Sequence, residues 1–336
     1  MKKFLMAAAV LLLLVACGND QPTTLTLMAH DSFADAVDET TFAAFTDSTG
    51  IAVEVLASGD AGAMVNQAIL TKDNPLADVL FGIDDTFLQR GLNEGIFESF
   101  VSARLAEIRP ELLPATDAVT PIDYGDVCLN YDKDVFESAP VTLRDLPRLA
   151  SQLVVEDPSL SSPGLAFLLV TIERFGESGW QDYWIELRDN GVLVAPGWTE
   201  AYYGEFSGGA GEGTRPLVVS YASSPPVEVL FSDPPVTEAP TGVITDGCYR
   251  QTEFAGILAG TEHAKQAGAL IDYMLSPEFQ STIPLTWFVY PANSTVDLPE
   301  VFVEHSTVPE HAITLDPEII EQNRERWLTE WADLFA

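Results

Sequence analysis

The chain lacks most of the residue arrangements on which enzymes rely. Its histidines follow no spacing typical of metal ligands. They are His30, His263, His305 and His311. The sequence contains no glycine-rich nucleotide loop, no HExxH, no CxxC and no Gly-x-Ser-x-Gly motif. We therefore expect neither a metal centre, nor a cofactor, nor an enzymatic activity built on these motifs.

Two other groups of residues have side chains that could do chemistry. Asp84-Asp85 and Asp31 could act as an acid and a base, although aspartate pairs are common in so acidic a chain. Tyr202-Tyr203 could bind ferric iron together with His30 and a carboxylate. The alternative is that the two tyrosines pack along the flank of a helix. We predict no catalytic residue from either group.

The N-terminus predicts export and a lipid anchor. Lys2-Lys3 precede the apolar run Phe4–Ala16, which is too short to span a bilayer but fits a signal peptide. The residues Leu-Val-Ala stand directly before Cys17, as in a bacterial lipobox. We predict a signal peptide over 1–16, lipidation of Cys17 and a tether over 17–24. An ordinary cleaved signal that ends near a cysteine is the alternative.

Two cysteines remain in the body of the chain, Cys128 and Cys248. In an oxidising compartment such a pair predicts one disulfide, and two buried thiols are the alternative. A reactive thiol needs a depressed pKa. Cys128 lies in a strand-like segment with Asp126 nearby, which favours a structural role.

Charge excludes one large class of partner. The chain of 336 residues has 51 acidic and 16 basic side chains, a net charge of −35. Such a surface repels phosphate backbones, so we exclude nucleic-acid binding. An acidic coat also serves solubility or salt adaptation and does not identify a ligand. The length is sufficient for two domains.

The first hundred residues alternate between strands and helices. Strand patterns at 25–29, 51–56 and 77–82 are separated by helical patterns at 40–48 and 61–71. This alternation predicts an α/β fold with a mostly parallel sheet. Ligands of such sheets lie beyond the carboxyl ends of the strands. Those ends are Asp31-Ser32, Gly59-Asp60 and Asp84-Asp85.

The same pattern restarts in the middle of the chain, which predicts a second lobe and a cleft between the two. A strand at 153–157 leads through Ser161-Ser162-Pro163-Gly164 into an apolar helix that ends at Phe175. Further strands are expected at 192–194 and 217–220. Glycine, proline and acidic residues predict two long loops, 207–216 and 232–247.

Many short segments, in order along the chain, resemble the bacterial thiamine-binding proteins of ABC importers. Each motif alone is weak, but together they cover nearly the whole mature chain. The segments are Asp31–Phe33, Ala77–Asp84, Pro121–Gly125, Asp157-Pro158, Ser161–Leu165, Gly197–Tyr202, Val219–Pro225, Ser276–Gln280 and Pro284–Pro291.

This resemblance implies a type II periplasmic-binding-protein fold with two chain crossings, near 123–127 and 247–252. Lobe 1 would comprise 25–124 with 251–300, lobe 2 would comprise 125–250, and 301–336 stays unassigned. The resemblance also implies a monomer outside the cytoplasm that takes thiamine or its phosphates to an ABC permease.

The resemblance further implies how a thiazolium cation would be held. Trp198, Tyr202, Tyr221 and Trp287 lie in the matching segments, and aromatic faces attract cations. Asp31 or Asp84 would supply the countercharge, and Ser32 or Tyr221 a hydrogen bond to the pyrimidine. Ser161, Ser162 and Gly164 would hold the hydroxyethyl arm or its phosphate, with plain helix capping as the alternative.

Two alternatives within the same fold remain. Ferric-iron binders of this fold carry a tyrosine pair where this chain has Ser220-Tyr221-Ala222, with a single tyrosine. Thiaminase-like enzymes share the fold and use a cysteine nucleophile, for which Cys128 is the first candidate and Cys248 the second. A disulfide between these two cysteines would silence both.

Overall fold

A computed structural model describes residues 23–139 and 142–336. The predicted signal peptide, Cys17 and most of the tether lie outside these ranges. Within them, no helix is both long enough and apolar enough to cross a membrane.

Ten strands among the described residues form one continuous mixed sheet. They are β1 (Thr24–Ala29), β2 (Ala52–Ala57), β3 (Val79–Asp84), β4 (Phe97–Glu98), β5 (Thr120–Asp132), β6 (Leu153–Glu156), β7 (Leu193–Ala195), β8 (Leu217–Tyr221), β9 (Thr241–Leu258) and β10 (Tyr290–Pro291). The order is β2-β1-β3-β9-β5-β8-β6-β7, with β4 on β9 and β10 on β5. Pairing is parallel at the two ends of this order and antiparallel around β9 and β5. This arrangement confirms the predicted α/β class.

The described part of the chain has twelve α-helices, of which the last two follow the final strand. They are α1 (Asp31–Ala36), α2 (Ala43–Thr49), α3 (Ala61–Leu70), α4 (Leu88–Asn93), α5 (Ser162–Phe175), α6 (Trp180–Asp189), α7 (Pro225–Phe231), α8 (Ala264–Met274), α9 (Pro277–Gln280), α10 (Ile283–Thr286), α11 (Glu300–His305) and α12 (Pro317–Phe335). Shorter 3₁₀ segments cover Leu105–Glu107, Pro110–Leu112 and Leu143–Gln152, and Glu200–Glu205 is a π-helical turn.

The predicted strands and helices form close to their expected bounds, because apolar runs and turn residues mark them locally. One prediction is wrong: the loop expected over 232–247 ends early, because β9 begins at Thr241. Val243 and Ile244 pair with Asn130 and Leu129 of β5. This distant partner converts a stretch rich in turn residues into strand.

The two longest strands, β5 and β9, are antiparallel neighbours that run through the centre of the sheet. A disulfide joins Cys128 of β5 to Cys248 of β9, as predicted, and both cysteines are buried. The bridge lies at an irregularity in the β5–β9 register, next to the pair Val127 and Tyr249. It therefore ties together the two strands that carry the chain between the predicted lobes.

The C-terminal helix α12 contacts both ends of the molecule. Arg90 of α4 lies 3.4 Å from Glu325, and Arg326 binds Glu177, in the turn before α6, with distances of 3.0 and 3.1 Å. The ring of Trp331 packs edge-on against Trp184 of α6. The segment 301–336, which the sequence leaves unassigned, thus belongs to neither predicted lobe alone.

Candidate functional site

A cavity of about 750 Å³ opens between the two ends of the sheet. Its wall is built from both predicted lobes: His30 after β1, α1, α3, β9 and the region after α9 on one side, and α5, the π-helical turn, β8 and α7 on the other. Predicted site residues in the lining are Ser32, Ser162, Trp198, Tyr202, Tyr221 and Trp287. The structure therefore brings six of the ten predicted ligand-binding residues to one cavity.

Aromatic rings form two faces of this cavity. On one side, Trp198 and Tyr202 stack with ring centroids 5.2 Å apart, and the Trp198 Nε1–H donates to Ser220 Oγ at 2.9 Å. On the other side, Trp287 packs edge-on against Phe33 and donates from Nε1 to Asp123 Oδ2 at 3.0 Å. Their ring orientations are thus fixed by packing and by hydrogen bonds before any ligand binds.

Tyr221 lies between these faces at the end of β8. Gly125 of β5 makes room for it, because a Cβ there would lie 2.8 Å from the Tyr221 ring. The Tyr221 hydroxyl lies within hydrogen-bond distance of Gln251. Burial, and then the charge of Glu253, raise the pKa of Tyr221 well above its ordinary value, so the phenol stays protonated.

Carboxyl groups form the polar part of the wall, and His30 lies among them. His30 Nε2 is 3.5 Å from Glu253 Oε1, and its Nδ1 is 2.8 Å from Ser32 Oγ. Burial opposes protonation of His30, but Glu253, Asp60 and Asp84 together raise its pKa above the ordinary value. Three carboxyls therefore surround His30 and favour its protonation, while its Nδ1 also accepts the Phe33 N–H at 3.2 Å.

Asp60 joins the two sides of the cavity. It caps α3 through the Ala61 N–H at 2.8 Å and also accepts the Trp198 N–H at 3.3 Å from the opposite side. Burial raises its pKa, against the lowering effects of His30 and of these hydrogen bonds. Asp60 consequently links the start of α3 to the turn that carries Trp198.

Asp84 and Asp85 lie behind the wall rather than in it. Burial raises the pKa of Asp84 to about 6, against the hydroxyls of Ser162 and Thr86, and Glu253 adds to the rise. Burial and the neighbouring Asp84 raise the pKa of Asp85 to about 7. These two carboxyls therefore influence the cavity through their electrostatic field, because they do not line it.

The predicted turn before α5 is closely packed. Ser161 is the N-cap residue of α5, yet its side chain makes no capping hydrogen bond. Its hydroxyl lies beside Asp60 and that of Ser162 beside Asp84. A Cβ on Gly164 would lie 2.5 Å from the Glu156 carbonyl oxygen, so only glycine allows α5 to pack this closely on β6.

Of the remaining predicted residues, Asp31 does not line the cavity. It is exposed at the start of α1, and its Oδ1 accepts the Gly59 N–H at 2.8 Å. The neighbouring His30 points inward instead, and Gly82 with φ +94° makes this possible, since a Cβ there would meet the imidazole ring. Gly164 and Ser161 likewise lie outside the lining.

Several lining residues were not among those predicted for ligand binding. Asp60 stands at a predicted strand end, where a ligand was expected, so the signal for it was present. Glu253 lies inside a strand, and only the pairing of β9 with β5 places it at the cavity. Phe231 of α7 and Phe288 meet edge-on at 5.7 Å in the wall, and Phe288 has φ +66°.

The described residues contain no group of three or more His, Cys, Asp or Glu side chains that could hold a metal ion. The Tyr202 hydroxyl, considered for ferric iron, donates to Glu228 Oε1 at 2.7 Å. Burial, with the Glu228 charge, raises the pKa of Tyr202 well above its ordinary value, which disfavours a metal-bound phenolate. The disulfide leaves neither Cys128 nor Cys248 as a free nucleophile.

Comparison with known proteins identifies the family. Residues 74–312 match the model for bacterial extracellular solute-binding proteins. The chain is 30% identical over 329 residues to a thiamine-binding periplasmic protein of Escherichia coli K12, covering 96% of each chain. It is 28% identical to that of Brucella suis, covering 92% of this chain and 91% of the relative.

Solved structures give the same result. A periplasmic thiamin binding protein superposes with a TM-score of 0.83 and 28% identity, covering 95% of this chain and 98% of the other. Iron-bound HitA from Pseudomonas aeruginosa superposes with a TM-score of 0.73 at 20% identity, a likeness of fold alone. These likenesses confirm the predicted fold, and the thiamine-binding relatives, which are binding proteins by name, confirm the expectation of no enzymatic role.

Proposed function

The chain belongs to the bacterial extracellular solute-binding protein family, and we propose that its solute is thiamine, which it passes to an ABC permease. The observation that carries this proposal is a cavity with aromatic rings on two sides and carboxyls between them. Thiamine combines a permanently cationic thiazolium ring with a flat aminopyrimidine. The carboxyls suit the cation, and the aromatic rings suit both flat rings. The proposal includes the phosphate esters of thiamine, as the resemblance implies.

We propose that the thiazolium ring lies against Trp198, Tyr221 or Trp287, close to Asp60 and Glu253. A cation over an aromatic face gains about 0.5–1 kcal/mol when exposed and about 2 kcal/mol or more when desolvated. Closing the cleft removes water from these contacts, and the closed form is then the one that the permease recognises.

The proposal is tested by calorimetry on the ligand-stripped soluble domain. Thiamine should bind tightly, and binding should weaken by about 30-fold or more in Trp198→Ala or Trp287→Ala, as cation–π contacts are lost. Trp327→Phe, in α12 and outside the cavity, is the matched control.

Three results would argue against a thiamine binder. Ferric iron binding without thiamine binding would favour the iron alternative. Slow loss of thiamine during incubation would indicate a thiaminase-like enzyme. Unchanged affinity in both tryptophan variants would place the ligand elsewhere.

We further propose that the lobes are 25–124 with 251–300, and 125–250, and that they move about the β5–β9 crossings. The pair of central strands and the contact of Asp60 with Trp198 across the cavity support this division. Small-angle scattering with and without thiamine should show a more compact monomer when the ligand is bound.

We also propose that the mature protein is anchored by a lipid on Cys17. The support comes from the basic start, the apolar run and the residues before Cys17. Cys17→Ser should release the protein from the membrane fraction and change its processing. Equal membrane association of the variant would contradict the anchor.

A further inference from the structure

His30 has a buried ring nitrogen, Nε2, to which no group of the described residues makes a hydrogen bond. The residue lines the cavity and is only 7% exposed. Glu253 Oε1 lies 3.5 Å from this nitrogen, which is longer than an N–H···O hydrogen bond. A buried polar group without a partner costs free energy. A ligand that supplies the partner is therefore favoured at this point of the wall.

The other ring nitrogen determines which kind of partner Nε2 needs. Nδ1 accepts the Phe33 N–H at 3.2 Å and so caps α1, and it lies 2.8 Å from Ser32 Oγ. A nitrogen that accepts a hydrogen bond carries no hydrogen, so the hydrogen of the neutral ring is on Nε2. The protonated ring has a hydrogen on Nε2 as well. The ligand atom opposite Nε2 must therefore be an acceptor.

Glu253 places an acceptor directly beside this donor. The Gln251 side-chain amide donates to Glu253 Oε1 at 3.2 Å and also lies 3.2 Å from the Tyr221 hydroxyl, which orients the carboxylate. A carboxylate has about four lone-pair sites, so Glu253 can accept a further hydrogen bond. His30 and Glu253 thus present a donor and an acceptor side by side in the cavity wall.

The pair is held in place beside an aromatic face. A Cβ at Gly82 would collide with the His30 ring, so the glycine allows the ring to lie where it does. Phe33 and Phe81 pack on the same imidazole, and Trp287 packs edge-on against both phenyl rings. A flat ligand ring against Trp287 therefore has its edge close to the His30–Glu253 pair.

We propose that His30 and Glu253 recognise the edge of the aminopyrimidine ring of thiamine. His30 Nε2–H donates to the ring nitrogen N3′, and Glu253 accepts from the neighbouring 4′-amino group. Amide side chains recognise the equivalent edge of adenine with the same combination of donor and acceptor. The inference rests on the proposed function, and it leaves Trp198 and Asp60 for the thiazolium ring.

The test compares thiamine with oxythiamine by calorimetry on the ligand-stripped protein. Oxythiamine has an oxo group in place of the 4′-amino group and a hydrogen on N3′, so donor and acceptor exchange places while the thiazolium charge is kept. We expect oxythiamine to bind at least about 100-fold more weakly, because both hydrogen bonds become contacts between like partners.

Glu253→Gln should reduce this preference, because its amide can donate to the oxo group. We expect the ratio of thiamine to oxythiamine affinity to fall by about 10-fold or more. The matched control is Glu278→Gln, which removes the same charge from another residue of the lining. It should leave the ratio within about 3-fold of the wild-type value.

His30→Asn separates recognition from helix capping. Asparagine is a good N-cap, so α1 keeps its cap, but its shorter side chain does not reach N3′. Thiamine affinity should fall by about 10-fold or more. The thiamine analogue with C–H in place of N3′ should bind the variant and the wild type within about 3-fold of one another. Equal losses for both ligands would show that His30 acts only through the fold, which would overturn its proposed role.

The outcomes distinguish this inference from the proposed function. Tight thiamine binding with oxythiamine affinity within about 10-fold of it would overturn the inference and leave the proposed function standing. An unchanged ratio in Glu253→Gln would overturn the role of Glu253, since another group would then accept from the 4′-amino group. Failure of the wild-type protein to bind thiamine would overturn both proposals.

Discussion

The central strands β5 and β9 carry two opposed pairs of charged residues that differ in kind. Asp126 stands opposite Arg250, and the guanidinium donates two hydrogen bonds to it, of 2.6 and 3.1 Å. Three positions earlier, Asp123 stands opposite Glu253, and both are buried. In the first pair the guanidinium neutralises the carboxylate, whereas the second pair consists of two acids.

This difference separates the part of the strands that holds the fold from the part that forms the site. The Asp126 end also carries the disulfide between Cys128 and Cys248. At the Asp123 end, burial and then Glu253 raise the pKa of Asp123 well above its ordinary value. Burying two acids opposite one another costs free energy of folding even when one of them carries a proton, and the proposed binding role would explain why this pair is tolerated.

The largest expected effect comes from removing the disulfide. The bridge spans 120 positions, for which the chain-entropy model gives about 4–5 kcal/mol. The double variant Cys128→Ser with Cys248→Ser should lose free energy of unfolding of this order in urea, while thiamine affinity changes by less than about 3-fold, because the bridge lies outside the cavity lining. Reduced wild-type protein should match the variant. Two titratable thiols in unreduced, unfolded protein would show that no bridge exists.

Breaking the ion pair between Asp126 and Arg250 should lower the free energy of unfolding nearly as much. Arg250→Met leaves Asp126 fully buried without its cation, which costs about 3–4 kcal/mol in comparable sites. The measurement is urea unfolding at neutral pH, where burial already raises the pKa of Asp126 against the effect of Arg250. Arg250→Lys should recover part of the loss. A loss below about 1 kcal/mol would mean that the pair contributes no more than a surface ion pair.

The carboxyls behind the cavity predict the pH dependence of the ligand-free protein. Asp84 has a pKa of about 6 when folded, against 3.8 for the free side chain, which corresponds to at most about 3 kcal/mol. Because the folded value is raised, stability is greatest at low pH and falls as pH rises from about 4 to about 6. Asp85, with a folded pKa of about 7, extends this decrease in stability to about pH 7. Thermal unfolding across this range should show the decline, and Asp84→Asn should flatten it. An unchanged profile in the variant would assign the dependence to other groups.

Local sequence patterns predict those structural features that residues close together in the chain determine. Strand ends, turn residues and apolar runs located the main elements and marked Asp60 as the end of a strand. The resemblance implied Asp31 or Asp84 as the countercharge, yet Asp31 accepts the Gly59 N–H outside the cavity and Asp84 lies behind its wall. Which carboxyl faces a cavity is decided by local hydrogen bonds that the pattern does not encode.

Distant pairing accounts for the residues that the patterns missed. Glu253 lies within an eighteen-residue strand, β9, whose partner β5 is more than a hundred positions away. The same pairing turns Thr241–Gly247 from an expected loop into strand. The aromatic residues were easier to predict, because Trp198 and Trp287 stand in segments that resemble a known family.

The smallest expected effect provides the sharpest comparison, because one substitution should have opposite signs three residues apart. Asp123 accepts the Trp287 Nε1–H through Oδ2, while its buried Oδ1 has no partner. In Asp123→Asn the amide oxygen keeps the Trp287 bond and the amide N–H can donate to Glu253, so the contact with Glu253 no longer requires Asp123 to take up a proton. We expect a gain of about 1 kcal/mol in the free energy of unfolding without ligand, with weaker thiamine binding. Asp126→Asn, the matched control, should instead lose about 2 kcal/mol, because it weakens a charged hydrogen-bond pair. Urea unfolding of both variants measures the change in stability, and calorimetry measures the change in thiamine affinity. Equal losses in the two would show that Asp123 also stabilises the fold, and that the two ends of these strands do not differ in the way proposed.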